Sequence, residues 1–296
     1  MKVIITGSLG HISKPLANEL VQKGHKVTVI SSNPERQNNI EALGAVAAIG
    51  ALEDVDFLTA TFSGADAVYT MIPPGNFFDH CLDLKAHYSR IANNYALAIE
   101  KTTIKRVVHL SSNGAHLDKN SGLILAHHNV ELIFNKLSGV DITFMRPTAF
   151  YYNLNFFLNV IKKTGSIMSN YGAEDIIAWA SPIDIATAIA EEIGTPLVGR
   201  KVRYVASDEL SCNEVASILG LTIGKPDLKW LVISGEQMQN VFDKIGMNPQ
   251  IAASLVEMNA SMHNGVLFED YYINHPALGK VKLADFAKDF ATAFFA

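Results

Sequence analysis

Two glycines three positions apart, Gly7 and Gly10, sit where a short apolar run, Val3-Ile4-Ile5, gives way to an amphipathic stretch beginning near Ile12. A strand that turns directly into a helix leaves the first helical N–H groups unpaired and places the positive end of the helix dipole at the turn. Such a turn receives anions, and a phosphate fits best where no side chain holds it off the backbone. Gly7 permits the tight exit from the strand, and Gly10 lets a pyrophosphate approach the main chain. Where a third glycine would let the helix lie close on the strand, this chain has the small Ser13. Gly7, Ser8, Leu9, Gly10, His11 and Ile12 are therefore read as a cradle for the pyrophosphate of NAD(H) or NADP(H).

The choice between the two dinucleotides is made at the end of the second strand, where NAD sites carry an acid for the ribose 2′-hydroxyl. The chain there reads Val29-Ile-Ser-Ser-Asn-Pro-Glu-Arg36, with no acid at the strand end. Ser31, Ser32 and Asn33 can hydrogen-bond a 2′-phosphate and Arg36 can neutralise it, so NADP(H) is favoured over NAD(H). Glu35 lies beyond Pro34, and the expectation is that it caps the following helix.

The elements that must position this turn follow from periodicity. Apolar runs at Lys2–Thr6, Lys26–Ile30, Val46–Ile49, Ala67–Met71, Arg106–Leu110 and Asp141–Arg146 read as strands. Helical patterns at 13–23, 36–43, 56–62, 77–101 and 123–137 separate them. This alternation predicts an α/β fold with a doubly wound parallel sheet, a Rossmann domain over residues 1–150. From Tyr151 to Ala296 the rhythm changes to helices around 151–163, 182–193, 213–219, 235–245, 249–262 and 283–295, with one strand at Lys201–Val205. This part is expected to be a smaller, mostly helical, substrate-covering lobe able to return one strand to the main sheet.

The chain of 296 residues is 49% hydrophobic and 18% charged, with a formal net charge of −5, which argues against a nucleic-acid partner. Its two cysteines, Cys81 and Cys212, lack metal-ligand spacing and read as reduced thiols. Met1-Lys2 runs directly into the first strand without room for a signal peptide, and no apolar run approaches membrane-span length. A cytoplasmic protein without a membrane partner is the expectation; nothing in the chain specifies an oligomeric state.

Several segments together carry a family resemblance. Thr6-Gly-Ser-Leu-Gly-His-Ile, Ser32-Asn-Pro, Ser63-Gly-Ala-Asp-Ala-Val and Val107-Val-His-Leu-Ser-Ser resemble atypical short-chain dehydrogenases/reductases. Glu131, followed by Asp141-Ile-Thr-Phe-Met-Arg-Pro-Thr-Ala-Phe-Tyr-Tyr-Asn153, is similar to the NmrA-like branch, as is Leu210-Ser-Cys-Asn-Glu-Val-Ala. That branch includes NADPH-dependent quinone reductases and regulators that bind the dinucleotide without turning it over. The resemblance implies that aligning Glu131 with the branch's glutamate puts Leu123 and His127 where active classical members carry Tyr and Lys. It also implies that Ala51 replaces an adenine-contacting Asp, leaving Leu52 to line that face, and that Ser32 replaces an arginine.

Remaining candidates cluster at strand ends, where open α/β sheets bind ligands. Ser111 and Ser112 follow the fifth strand and are expected near nicotinamide, with Asn113 next in the loop; a purely loop-capping role is the alternative. Met71, Ile72 and Pro73 end the fourth strand as a stiff wall, and Pro147 to Phe150 end the sixth beneath the nicotinamide. Tyr151, Tyr152 and Asn153 are placed at the substrate pocket, while Trp179 and Trp230 read as core. His127 is the first candidate for a proton donor, oriented or charged by Glu131 one turn on, with His128 as the alternative. Both histidines read equally as polar helix residues, or His127 as a ligand of the cofactor ribose. The functional expectation is a reductase passing hydride to a quinone or similar flat carbonyl acceptor, a chemistry that needs no Tyr-Lys pair. The competing reading is a non-catalytic redox sensor acting through a regulatory protein partner.

Overall fold

Along the first strand Val3 and Ile5 turn to one face and Ile4 to the other, and all three are fully buried. A strand buried on both sides must lie inside a sheet covered by helices on both faces. The computed structural model, which describes residues 1–196 and 199–296, shows that arrangement.

In chain order the first half runs β1 (Lys2–Ile5), α1 (Ser13–Gln22), β2 (Lys26–Ser31), α2 (Gln37–Glu41), β3 (Val46–Ile49), α3 (Val55–Phe62) and β4 (Ala67–Thr70). It continues α4 (Leu84–Glu100), β5 (Arg106–Leu110), α5 (Leu125–Phe134) and β6 (Asp141–Pro147). The second half adds β7 (Ala149–Phe150), α6 (Leu158–Thr164), β8 (Ser166–Ser169), β9 (Ile176–Ala180), α7 (Pro182–Gly194), β10 (Arg200–Val205) and β11 (Asp208–Ser211). It closes with α8 (Cys212–Thr222), β12 (Lys229–Val232), α9 (Gly235–Lys244), α10 (Pro249–His263), α11 (Glu269–Ile273) and α12 (Leu283–Phe295).

A seven-stranded parallel sheet has the order β10-β6-β5-β4-β1-β2-β3. Its outermost strand beyond β6 comes from the second half: Arg200–Val205 pairs with Ile142–Pro147. Helices α1 and α7 cover one face and α3, α4 and α5 the other. The winding therefore reverses between β1 and β4, which opens a crevice at their carboxyl ends. The glycine turn leaves β1 at this switch point.

The second half is not helical alone. A three-stranded sheet, β11-β9-β7, and a two-stranded one, β12-β8, lie within it around a core containing Trp179, Cys212, Tyr271 and Phe290. Segments such as Ser166–Ser169 are too short and too mixed to announce themselves as strands. Two expected helices also differ. The stretch 77–101 becomes helical only at Leu84, where the Asp83 carboxylate accepts from the Ala86 N–H at 2.9 Å. Before it, Asn76 and Asp79 accept from Phe78 and Cys81 N–H, local bonds that hold the chain in turns. The stretch 151–163 begins as a 3-10 helix over Tyr151–Phe157 and becomes α-helical from Leu158. The cap at 34–36 is Asn33, whose side chain accepts from the Glu35 N–H, and not Glu35 itself. No helix among the described residues is long and apolar enough to cross a membrane.

Candidate functional site

Thr6 ties the turn to the sheet. Its N–H donates to the Tyr69 carbonyl at 3.1 Å, and its hydroxyl accepts from the Met71 N–H at 2.8 Å. Ser13 Oγ donates to the Thr6 carbonyl at 2.9 Å, so the residue in the third-glycine position locks helix to strand. Gly7 has φ +89°, and a Cβ there would meet Ser13 Oγ at 2.6 Å and Met71 Cγ at 2.9 Å. Only glycine takes that conformation in that space without strain. The Gly10 N–H closes on the Gly7 carbonyl and Lys14 on that of Gly10. Ile12 begins α1 without a side-chain cap, leaving amides of the turn for a ligand. Glycine conformation, close packing and an uncapped helix start together fit a dinucleotide pyrophosphate.

A cavity of about 800 Å³ opens from this turn. Of the residues expected to hold cofactor or substrate, it is lined by Gly7, Gly10, His11, Ile12, Met71, Ile72, Ser111, Ser112, Asn113, His127, Pro147, Phe150, Tyr152 and Asn153. The Tyr152 ring stacks on His11 (centroids 4.4 Å apart, planes at 19°) and lies 5.1 Å from Phe150, joining the second half to the glycine turn. Pro73 turns away, its carbonyl accepting from His87 Nε2 at 2.8 Å, and Pro74 takes the wall position. Leu52, Ser31, Ser32, Asn33 and Arg36 lie outside the cavity, and Ser8 Oγ, 2.9 Å from Ser31 Oγ, bridges the turn to the β2 end. The buried Ser31 hydroxyl is engaged with Ser8 and Asn33, whereas Ser32 and Arg36 are exposed.

Tyr151 does not reach the pocket. It is fully buried, donates to Asp208 Oδ2 at 2.7 Å and stacks on Phe286. In a 3-10 turn consecutive side chains diverge by about 120°, so Tyr151 and Tyr152 cannot both face the cavity.

Ser111 is held by a buried network. Its hydroxyl donates to Glu131 Oε1 at 2.5 Å, and Arg146 forks onto the same carboxylate at 3.0 Å (Nε) and 2.7 Å (Nη2). Arg146 also reaches Tyr204 and Asp270, which bond each other. Because the Ser111 proton points at Glu131, Ser111 Oγ faces the cavity as an acceptor.

The same network changes the reading of His127. The Glu131 oxygens are occupied by Ser111 and Arg146, so Glu131 does not orient the imidazole. His127 instead meets the edge of Tyr88 at 5.1 Å, and its buried Nδ1 has no partner among the described residues. Burial lowers its pKa to about 4, against the opposing pull of the Glu131 charge. His128 bonds the Ala115 carbonyl and stays out of the cavity.

Sequence reasoning missed the inner walls. Tyr88 contributes from α4, Met238 and Phe242 from α9, Met258 and Met262 from α10, and Trp179, assigned only to the core, also lines the cavity. Their helical spacing is indistinguishable from ordinary packing, so only the fold could bring them together. Among the described residues, no Lys, Arg, Asp or Glu lines this cavity.

Over 261 residues the chain is 23% identical to an NAD(P)H azoreductase of Xenophilus azovorans, covering 87% of this chain and 86% of that protein. Over 225 residues it is 24% identical to a (4-alkanoyl-5-oxo-2,5-dihydrofuran-3-yl)methyl phosphate reductase of Streptomyces griseus, covering 76% and 74%. An NADPH-dependent quinone oxidoreductase from Escherichia coli, solved with NADPH, shares the fold at TM-score 0.78 and 19% identity over 97% of this chain and 99% of that one. A Citrobacter triphenylmethane reductase complexed with NADP(H) follows at TM-score 0.74 and 17% identity, covering 98% and 99%. Residues 7–176 match the family model described as NAD(P)H-binding. That match spans more than half of the chain, which therefore belongs to this NAD(P)H-binding family, a membership consistent with the resemblance to NmrA-like atypical short-chain dehydrogenases/reductases.

Proposed function

We propose that the protein is an NADP(H)-dependent reductase that passes hydride to a flat carbonyl acceptor such as a quinone. The observation that carries this reading is a single cavity running from the glycine turn into an aromatic and methionine-lined chamber without a charged wall. The relatives named as reductases support the same class of reaction. The amides between Leu9 and Ile12 would hold the pyrophosphate, Ser8 and Ser31 the adenosine ribose, and Ser32 with Arg36 a 2′-phosphate. Ser111, Pro147 and Phe150 would bound the nicotinamide, with the Ser111 oxygen accepting from its carboxamide. When bound, NADPH supplies the hydride.

What the chain contributes is placement and dryness. Tyr152 and Phe150 offer flat faces to an aromatic acceptor, while the apolar walls exclude water. A quinone that gains hydride becomes a hydroquinone anion, which takes its proton from solvent. His127 is neutral at pH 7 and serves as a hydrogen-bonding group rather than as a store of acidic protons. Tyr88 and Tyr152 also face the cavity, but burial raises both phenol pKa values, Tyr88 to about 12, and no lysine lines the cavity among the described residues to lower them. Epimerase or dehydratase chemistry, which depends on an acidified tyrosine, is therefore disfavoured.

The test is NADPH oxidation by purified protein against quinones, aldehydes and azo compounds. Turnover with a neutral quinone, largely retained in His127→Ala, is the expected result. Tight NADPH binding without turnover on any acceptor would overturn the reading. A higher affinity for one redox state of the cofactor would then point to the redox-sensor role and its protein partner.

A further inference from the structure

Beyond the residues assigned to nicotinamide, the cavity continues into the second half, where Tyr171, Trp179, Met258, Asn259, Met262 and Phe268 form its inner walls. Its volume of about 800 Å³ lies in the upper part of the range for small-molecule sites, roughly 300–1,000 Å³. Three properties of this inner chamber narrow what it can hold.

The first is charge. With no charged side chain on the wall among the described residues, a sulfonate, carboxylate or phosphate carried inward would be desolvated without a counter-ion. The second is a set of unpaired polar groups. Trp179 is 1% exposed and Asn113 3%, yet Trp179 Nε1 and both amide atoms of Asn113 have no hydrogen-bond partner among the described residues. The other tryptophan shows the contrast, since Trp230 Nε1 donates to the Tyr171 carbonyl at 2.8 Å. Buried donors are normally paired, and orphans beside a cavity mark groups that a ligand can complete. An indole N–H only donates, so its partner must be an acceptor; the Asn113 amide can do either. The third is shape: Met238, Met247, Met258 and Met262 line the cavity with flexible, polarizable side chains that adapt to irregular apolar molecules.

We propose that the inner chamber binds an uncharged aromatic molecule bearing an oxygen acceptor engaged by Trp179 Nε1–H and Asn113. This rests on the reductase reading for its purpose, but the site is defined by binding alone. Anionic acceptors would be excluded from it, and oxygen-free aromatics would enter without being held.

Equilibrium binding to the full chain, with NADP⁺ present so that no turnover occurs, tests the proposal. The probes are 2,3-dimethyl-1,4-naphthoquinone, 2,3-dimethylnaphthalene and the ring-sulfonated quinone, compared by calorimetry. The methyl groups block addition of the exposed Cys81 thiol to the quinone ring. The quinone should bind at least tenfold more tightly than the hydrocarbon and at least a hundredfold more tightly than the sulfonate. Trp179→Phe should weaken the quinone about tenfold while leaving the hydrocarbon and NADP⁺ unchanged, and Asn113→Leu should act the same way. Met258→Lys, on a half-buried wall position, should invert the preference toward the sulfonate and keeps the proposal testable if Trp179→Phe does not fold. Equal binding of sulfonate and quinone, or equal losses for quinone and hydrocarbon in Trp179→Phe, would overturn it. Absence of NADPH oxidation together with this binding pattern would sink the reductase reading and leave the chamber in place. Turnover without the pattern would do the reverse.

Discussion

At the glycine turn a single run of chain, Thr6 to Ser13, forms the cradle. At the inner chamber the walls are side chains drawn from Asn113 through Phe268, on loops, short strands and helices remote in sequence. The two ends answer to different physics. A backbone cradle is exacting at its glycines: Gly7 holds a positive φ with Ser13 Oγ 2.6 Å from any added Cβ, and a Cβ at Gly10 would press on the Gly7 carbonyl at 3.2 Å. A side-chain chamber tolerates exchange of a wall residue, especially methionine, at the level of shape, while a charge placed on the wall changes what it holds. Between them lies the Glu131–Arg146 pair, which ties Ser111 at the cavity to Tyr204 on β10 and Asp270 on α11.

That seam is where the largest effect is expected. Arg146→Met leaves the Glu131 carboxylate, 6% exposed, without its counter-ion. Removing one partner of a buried pair costs about 3–5 kcal/mol, which denaturant unfolding will register as a lower midpoint. Combining it with Glu131→Gln should recover much of the loss, since no buried charge is then stranded. A loss below about 1 kcal/mol would mean that the seam is solvated and that the two ends are not joined through it.

The turn comes next, and a second glycine provides its control. Gly7→Ala and Gly24→Ala both place a side chain at positive φ, +89° and +79°. Each therefore loses about 1–2 kcal/mol of stability from backbone strain. Only at Gly7 does the new Cβ collide, with Ser13 Oγ and Met71, whereas nothing lies within 4 Å of Gly24. NADPH affinity should fall at least tenfold in Gly7→Ala and stay unchanged in Gly24→Ala, as read by cofactor fluorescence titration. Equal affinities in the two variants would remove the turn from the binding site.

The same contrast explains what could be read from the chain in advance. The main sheet was legible because its central strands β1, β4 and β5 are short, mostly apolar runs and its turn is encoded locally, in Gly7, Gly10 and Ser13. Arg106–Leu110 has the bounds expected from its run of buried residues. Trp179 illustrates the opposite case: its type announces burial, and burial is correct, but nothing in its neighbours tells that the ring also borders a cavity. Tyr151 and Tyr152 show the finer limit. Adjacent aromatics in one helical run carry no signal for which faces the pocket, and that is decided by Asp208, which captures the Tyr151 hydroxyl from β11. Glu131 was visible as a helix acid one turn from His127, but its partner Arg146 lies on strand β6.

Two histidines near the middle of the molecule give a pH signature that neither end of the cavity should show. Burial lowers His127 to about 4 and His109 to about 3, from 6.5. Below pH 6.5 the unfolded chain binds protons that the folded protein refuses, so stability falls as pH is lowered from 6.5 toward 4 and is flat above that window. Each residue contributes a slope of at most about 1.4 kcal/mol per pH unit. Denaturation midpoints measured between pH 7.5 and 4.5 should show this decline, and His127→Gln should make it shallower, the rest coming from His109 and from His116 and His25, whose pKa values burial also lowers. An unchanged slope in that variant would mean that water reaches the imidazole and that the site is wetter than its walls imply.

The smallest effect concerns the outermost part of the cofactor end. Arg36 is exposed, follows the Asn33 cap and forms no ion pair among the described residues, so its guanidinium is available to a 2′-phosphate. A single charge-assisted contact at an exposed position is worth about 1.5 kcal/mol, or roughly tenfold in affinity. Arg36→Ala should therefore weaken NADPH about tenfold and leave NADH unchanged, with no shift in unfolding midpoint. Titrations of both dinucleotides against both proteins give the ratio directly. Parallel losses for NADPH and NADH would place Arg36 on the shared diphosphate instead, and no loss for either would leave Ser32 and Asn33 as the exposed groups at the β2 end able to read the 2′ position.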